Sequence, residues 1–175
     1  MNMEKQLFDA DMMSRMMTRM AYEIIENNDL EQVVLVGIKT RGEQLAHRIQ
    51  RKIQAIKHIE LPLEALDITN YRDDVSSNRT GVGPQVPAFT VNLTHKTVII
   101  VDDVLYTGRT VRAAIDAIMD VSRPNAIRLA ILVDRGHREL PIRADYVGKN
   151  IPTSKKETIQ VKLTEIDQVD AIVIQ

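Results

Sequence analysis

The chain has 175 residues, 44% hydrophobic and 27% charged, with no cysteine or tryptophan and a formal net charge of -1. That length and apolar share suit one domain with a sizeable core, while a mean hydropathy of -0.17 and the lack of a long apolar run exclude a membrane-spanning protein. Without cysteine there is no disulfide scaffold, the acidic N-terminus lacks a basic-then-apolar secretion signal, and near-zero charge excludes whole-surface attraction to nucleic acid. The chain therefore reads as cytoplasmic, and any nucleic-acid site must be a local patch.

From Lys5 to about Asn28 apolar residues recur at three and four, with Phe8, Met12, Met16, Met20 and Ile24 in one i,i+4 series beside Met13 and Met17. This predicts an amphipathic helix. Seven of the eight methionines lie in the first 20 residues, which suits packing on the domain, with a subunit interface as the alternative. Val33 to Ile38 is a continuous β-branched run, as in strands buried on both faces. It ends in Lys39-Thr40-Arg41-Gly42, and Glu43 to Ile56 then reads as a helix. Residues 59–69 could form a strand. A long polar loop or hairpin follows over about 70–88, rich in Asn, Asp, Ser, Gly and Pro.

Val98 to Val101 opens a second strand–loop–helix unit, through Asp102-Asp103-Val104-Leu105-Tyr106-Thr107-Gly108-Arg109-Thr110 into a helix ending near Val121. A third strand, Ile127 to Val133, leads into the basic stretch Asp134 to Lys156. Late strands are predicted near Ile159–Leu163 and Ala171–Ile174. Buried strands alternating with helices give an α/β class, a mainly parallel sheet covered on both faces, in a single domain over 1–175.

In open α/β sheets ligands bind beyond the carboxyl ends of the strands. Thr107-Gly108-Arg109-Thr110 opens a helix there, where backbone N–H groups and hydroxyls can hold a phosphate. Asp102 and Asp103 cannot favour that phosphate, so they suit vicinal ribose hydroxyls, directly or with Mg²⁺. Neither G-x-G-x-x-G nor G-x-x-x-x-G-K-[ST] occurs, which disfavours a dinucleotide-binding dehydrogenase or P-loop kinase.

The run Val98 to Thr110 resembles the signature of type I phosphoribosyltransferases, which bind phosphoribosyl pyrophosphate (PRPP). Gly37 to Gly42, Asp67 to Asp74 and Val133 to Ser154 extend the likeness to the PyrR family, pyrimidine-operon attenuation regulators with uracil phosphoribosyltransferase activity. The resemblance covers nearly the whole chain and implies the type I phosphoribosyltransferase fold. It makes Asp102 and Asp103 the ribose ligands and Thr107, Gly108, Arg109 and Thr110 the 5′-phosphate cradle, with Tyr106 in the same PRPP/UMP-binding loop. Lys39, Thr40, Arg41 and Gly42 match the pyrophosphate loop, with Arg41 counted beside the two aspartates as catalytic. Tyr71, Arg72, Asp73 and Asp74 open a hood loop that closes over the site. Val133, Asp134 and Arg135 line the uracil pocket, and Asp145 aligns with an acid near the metal and pyrophosphate, although a turn aspartate on the surface is an equal reading. Mg²⁺ accompanies PRPP. Tyr106 stands where purine enzymes of the hypoxanthine type carry an aspartate, which weakens a purine-salvage reading.

Between Arg135 and Lys156 six basic residues face two acidic ones, a local balance of +4 against -5 elsewhere. Composition alone reads this as solvated surface; the resemblance implies an RNA site, a pyr leader mRNA hairpin held by Thr18, Arg19, Arg138, Arg143, Lys149 and Lys155. It further implies UMP, or UTP, as effector, transcription attenuation as output, and a homodimer or higher homo-oligomer. A salvage phosphoribosyltransferase without RNA regulation and a non-catalytic nucleotide-binding module are the competing readings.

Overall fold

The computed structural model describes residues 3–72 and 86–175; Asp73, Asp74 and the middle of the expected hood loop lie outside the described residues. Lys5–Phe8 forms strand β1 rather than the first turn of the amphipathic helix. The helix, α1 (Ala10–Asn27), starts later because Asp9 takes extended backbone and its carboxylate accepts the Met12 N–H at 2.9 Å. An N-cap of that kind satisfies an amide that has no partner inside the helix. The buried stripe is Met13, Met16, Met17, Met20, Ala21 and Ile24, whereas Met12 of the expected series is 37% exposed. Four methionines thus serve the interior of the protein.

Five strands form one parallel sheet in the order β3-β2-β4-β5-β6: β2 (Val33–Ile38), β3 (Leu63–Leu66), β4 (Thr97–Leu105), β5 (Ala126–Asp134) and β6 (Tyr146–Asn150). All six residues of β2 are buried, as its β-branched run predicts. β6 falls inside the basic stretch, where flanking Arg143, Asp145, Lys149 and Asn150 conceal a strand of which only Tyr146 and Gly148 are buried. The region predicted as a strand over 59–69 shrinks to the four residues of β3.

Helices α1 and α2 (Arg41–Lys57) cover one face of the sheet, and α3 (Arg109–Val121) covers the other. Alternate residues of β2 divide between them: Val33 and Leu35 pack toward α1 and α2, Val34 and Val36 toward α3. Each such side chain, fully withdrawn from water, contributes roughly 1.5–3 kcal/mol. The late strands β7 (Ile159–Lys162) and β8 (Ala171–Ile174) do not extend the parallel sheet. They pair antiparallel, and β8 also takes β1, giving a separate three-stranded sheet that joins the first and last residues described.

This small sheet is pinned to α2. Arg48 reaches Glu165 of α4 (Thr164–Asp167) at 2.5 Å and Asp170 at 2.8 Å. The guanidinium holds the Asp170 carboxyl down at about 2, and it also lowers that of Glu165. The start of α2, at the carboxyl end of β2, is thereby fixed against the C-terminal segment.

Candidate active site

Four loops meet at the carboxyl ends of the parallel strands. After β4, Tyr106 to Gly108 turn into α3, and Gly108 takes φ 94°, a left-handed conformation that glycine adopts without steric cost. The N-cap residue Gly108 has no side chain to cap α3, and the Arg109 amide meets the Thr107 hydroxyl at 3.3 Å; a glycine turn of this kind into a helix start is a common anion-binding arrangement. Arg72, Val104 to Thr110 and Val111 line a cavity of about 250 Å³ there. Thr107, Gly108, Arg109 and Thr110 are therefore brought together, with Arg72 from the expected hood segment beside them. The Thr107 carbonyl accepts from the Glu139 and Leu140 amides at 2.9 and 3.1 Å, and Arg109 pairs with Glu139 at 3.0 Å. Tyr71, in a short helical turn, is half-buried against the α3 face of the sheet, with its hydroxyl toward Asp116 and Asp120 of α3.

The paired aspartates are not equivalent. Asp103 is half-buried; one oxygen accepts the Val104 N–H at 2.8 Å, and its carboxyl also meets that of Asp102. Asp102 is 8% exposed and lies under the start of α2. A Cβ on Gly42 would come within 2.4 Å of the Val101 carbonyl and 3.2 Å of the Asp102 Oδ1, so only glycine lets α2 approach this closely. Burial, then the neighbouring Asp103 charge, push the Asp102 carboxyl well above the usual carboxylate range. The close packing of α2 on β4 makes Asp102 the less accessible of the two acids expected at the ribose, and leaves Asp103 the more open one.

After β2, Lys39 and Thr40 are exposed, with the Lys39 amide on the Leu66 carbonyl at 2.9 Å. Arg41 departs from expectation. Its guanidinium binds the Asp167 carboxylate at 2.9 Å and the Val161 carbonyl at 2.8 Å, bracing α2 against the small sheet. Lys39 faces Asp67, at the end of β3, whose carboxyl is lowered chiefly by bonds from the Thr69 hydroxyl and amide at 2.6 and 3.0 Å, with a smaller contribution from the Lys39 charge. Sequence reading overlooked Asp67 because an aspartate after a strand looks like ordinary turn chemistry.

After β5, Val133 is buried and Asp134 holds the Gly136 amide at 3.0 Å. Arg135 is 6% exposed and donates to the Thr153 hydroxyl and to the Ser154 and Glu157 carbonyls. Its guanidinium carbon stands 4.1 Å from the centroid of the Tyr106 ring, and His137 meets the same ring edge-on at 6.0 Å. Tyr106 is thus held between the phosphate loop and the post-β5 loop. Arg138 joins them directly, donating to Asp134 at 2.6 Å, the Tyr106 carbonyl at 2.9 Å and the Ile142 carbonyl at 2.8 Å. Arg138, expected at the RNA face, commits three of its five N–H groups to these loops, of which a basic run in the sequence gave no sign.

Asp145 is also corrected. It sits at the amino end of β6, with its carboxylate on the Leu129 amide at 2.8 Å, whereas the site lies at the opposite, carboxyl ends of the strands. It fastens a strand start and is remote from any pyrophosphate. Among the described residues no three His, Cys, Asp or Glu side chains gather as a metal site.

The other basic candidates are placed differently. Arg143, Lys149 and Lys155 are exposed. Arg19 joins α1 to β6 through the Val147 and Gly148 carbonyls at 3.1 and 2.5 Å, and Thr18 precedes it on the same helix. Arg19 therefore stands beside Lys149 of β6, while Thr18 meets Lys52 on the α2 flank of the same helix.

A family model described as a phosphoribosyl transferase domain matches residues 3–166. "Bifunctional protein PyrR" of Fusobacterium nucleatum is 54% identical over 171 residues, covering 97% of both chains. Its namesake from Oceanobacillus iheyensis is 55% identical over 175 residues, covering 98% of this chain and 97% of the relative. Among solved structures, a hypoxanthine phosphoribosyltransferase from Staphylococcus aureus superposes with a TM-score of 0.72 at 21% identity, covering 96% of this chain and 90% of its own. A hypoxanthine-guanine phosphoribosyltransferase from Bacillus anthracis gives 0.70 at 22% identity, covering 98% and 96%. At such identities these structures establish the fold alone.

Proposed function

Since the chain belongs to the phosphoribosyl transferase family and is more than half identical to its bifunctional PyrR proteins, we propose that it converts uracil and PRPP to UMP and regulates pyrimidine-operon transcription as a UMP-dependent RNA-binding attenuator. The carrying observation is the glycine turn into the start of α3, with Gly108 left-handed and Arg72 beside Thr107 to Thr110 around a cavity of about 250 Å³. That cavity suits the 5′-phosphate of PRPP or UMP.

In the reaction the bond from ribose C1′ to the pyrophosphate oxygen breaks, C1′ bonds to uracil N1, and the N1 proton leaves to solvent. Positive charge gathers on the ribose as pyrophosphate departs. The α3 amides and Thr110 hold the phosphate, Asp103 offers its carboxylate to the ribose hydroxyls, and Lys39 with the Thr40 amide meets the leaving group. Uracil stacks near Tyr106, its edge against backbone of Val133 to Arg135. Asp102 acts from beneath, holding the Asp103 amide at 2.9 Å. Asp103 would be the carboxylate to touch a Mg²⁺ brought in with PRPP, and such an ion would supply charge neutralisation at the pyrophosphate, in keeping with its preference for substrate phosphates and water over an all-protein cage.

Arg143, Lys149 and Lys155 with the Thr18–Arg19 side of α1 form the RNA face, on a cytoplasmic homodimer or higher homo-oligomer. UMP strengthens RNA binding because both ligands favour one state of the loops after β4 and β5. The assay is UMP formation from uracil and PRPP, run beside a gel-shift of a pyrimidine-leader hairpin with and without UMP. Asp103→Asn is expected to lower kcat/KM at least a hundredfold while RNA binding persists. Parental UMP formation by that variant defeats the enzymatic assignment, and RNA affinity indifferent to saturating UMP leaves the salvage reading.

A further inference from the structure

On the outer side of α1 and α2, away from the PRPP site, Lys52 sits in an uncommon setting. Its ammonium donates to the Thr18 hydroxyl at 3.0 Å and the Ser14 hydroxyl at 3.1 Å. Among the described residues no carboxylate lies within ion-pair distance of it, and its charged neighbour is Arg48, itself committed to Glu165 and Asp170. Partial burial first, and the Arg48 charge second, pull the Lys52 ammonium below its usual range. A half-buried cation beside a like charge and without a counter-ion is an unfavourable arrangement that a bound anion would relieve.

The hydrogen-bond inventory shows what such an anion would meet. The Thr18 hydroxyl spends its proton on the Ser14 carbonyl at 2.9 Å and offers Lys52 a lone pair. Lys52 has used two of three protons, and the Ser14 hydroxyl accepts without yet donating. One ammonium N–H and one hydroxyl O–H therefore remain for a tetrahedral oxyanion. Arg15, next to Ser14, is exposed and bonds only the Asp11 carbonyl through Nε at 3.4 Å, which leaves its terminal nitrogens in solvent.

We infer that Ser14, Thr18 and Lys52 form a phosphate cradle for the RNA backbone, extending the RNA face from β6 across α1 onto α2. This rests on the RNA reading above. Arg19, which follows Thr18, ties α1 to the Val147 and Gly148 carbonyls beside Lys149, so α1 carries the cradle on its α2 flank and meets the strand of the exposed lysine on its β6 flank. The cradle carries no base-reading group; it adds affinity and register in place of sequence preference.

The test titrates a pyrimidine-leader hairpin transcript against the full chain with saturating UMP, from low to high KCl. Lys52→Gln is expected to weaken binding about tenfold and to reduce the slope of log K against log salt by about 0.7–0.9, one phosphate contact. Lys52→Arg retains most of the affinity, Ser14→Ala loses about threefold, and Lys96→Gln, at the amino end of β4, changes nothing. UMP formation stays parental in all four, which excludes misfolding. If Lys52→Gln and Ser14→Ala bind with unchanged affinity and slope while Arg143→Ala weakens binding, the cradle is overturned and the RNA reading stands. A parental protein that does not prefer the leader hairpin to a scrambled one overturns both.

Discussion

Asp102 shows how far one residue's meaning depends on what is packed against it. Read from the sequence, the two adjacent carboxylates are equal; in the fold one is buried beneath Gly42 and its carboxyl is raised. An unfolded aspartate titrates near 4, so between that pH and the raised value the folded protein keeps a proton the unfolded chain has released. The contribution is therefore fully present below about 4 and is lost as pH rises through that window. Asp102→Asn, which keeps an acceptor for the Asp103 amide, is expected to raise the Tm by a few degrees at pH 8 and to change it little at pH 4, as read by thermal melts across pH. A uniform drop in Tm at every pH contradicts this. The positions of Lys39, Thr107 and Thr110, in strand-end loops and at the start of α3, were legible because the strand–loop–helix pattern sets them locally. Arg138 and Asp145 were not, since a basic residue does not declare whether its donors face water or three carbonyl and carboxylate oxygens.

At the scale of elements, the start of α2 is set by two contacts that no local pattern foretells. Gly42 permits its approach to β4, and Gly42→Ala forces a Cβ to 2.4 Å from the Val101 carbonyl. That variant is expected to lose about 1–3 kcal/mol, the usual cost of overpacking, and to lose UMP formation through displacement of Lys39 and Thr40. Denaturant melts and the activity assay check it. Arg48 fixes the same helix to the small sheet. Asp170 titrates at about 2 against an ordinary 3.8, so its contribution is present above about 4 and is lost as pH falls from there toward 2. Arg48→Met is expected to cost about 1–2 kcal/mol at pH 7, discounted for partial exposure, and to flatten the acid limb of the stability curve. Helix α1 was legible in its period, but its start was not: Lys5 to Phe8 have side chains compatible with either state, and pairing with β8 decides for the strand.

Over the whole molecule, near-neutrality conceals separate charge territories. Asp102 is buried and Glu165 and Asp170 are paired with Arg48, while Arg143, Lys149 and Lys155 of the basic stretch are exposed. RNA affinity is accordingly expected to fall steeply with salt although the net charge is -1. A gel-shift series across KCl at fixed UMP measures this, and an affinity indifferent to salt speaks against a phosphate-led interface. The proposed linkage to UMP would run through Arg135, Arg138 and Tyr106, which join the loops after β4 and β5.

By itself the sequence determined the strand–loop–helix units, the phosphate loop at the start of α3 and the family, because these rest on residues adjacent in the chain. Only the tertiary structure decided which acid is buried, which arginines brace and which stay exposed, and that β1 closes a second sheet with β7 and β8. Those outcomes depend on contacts between segments more than a hundred residues apart, such as Arg41 with Asp167 and Arg19 with Gly148. Burial, which sets a carboxyl's proton affinity, and geometry, which spends an arginine's donors, come into existence when the chain has folded.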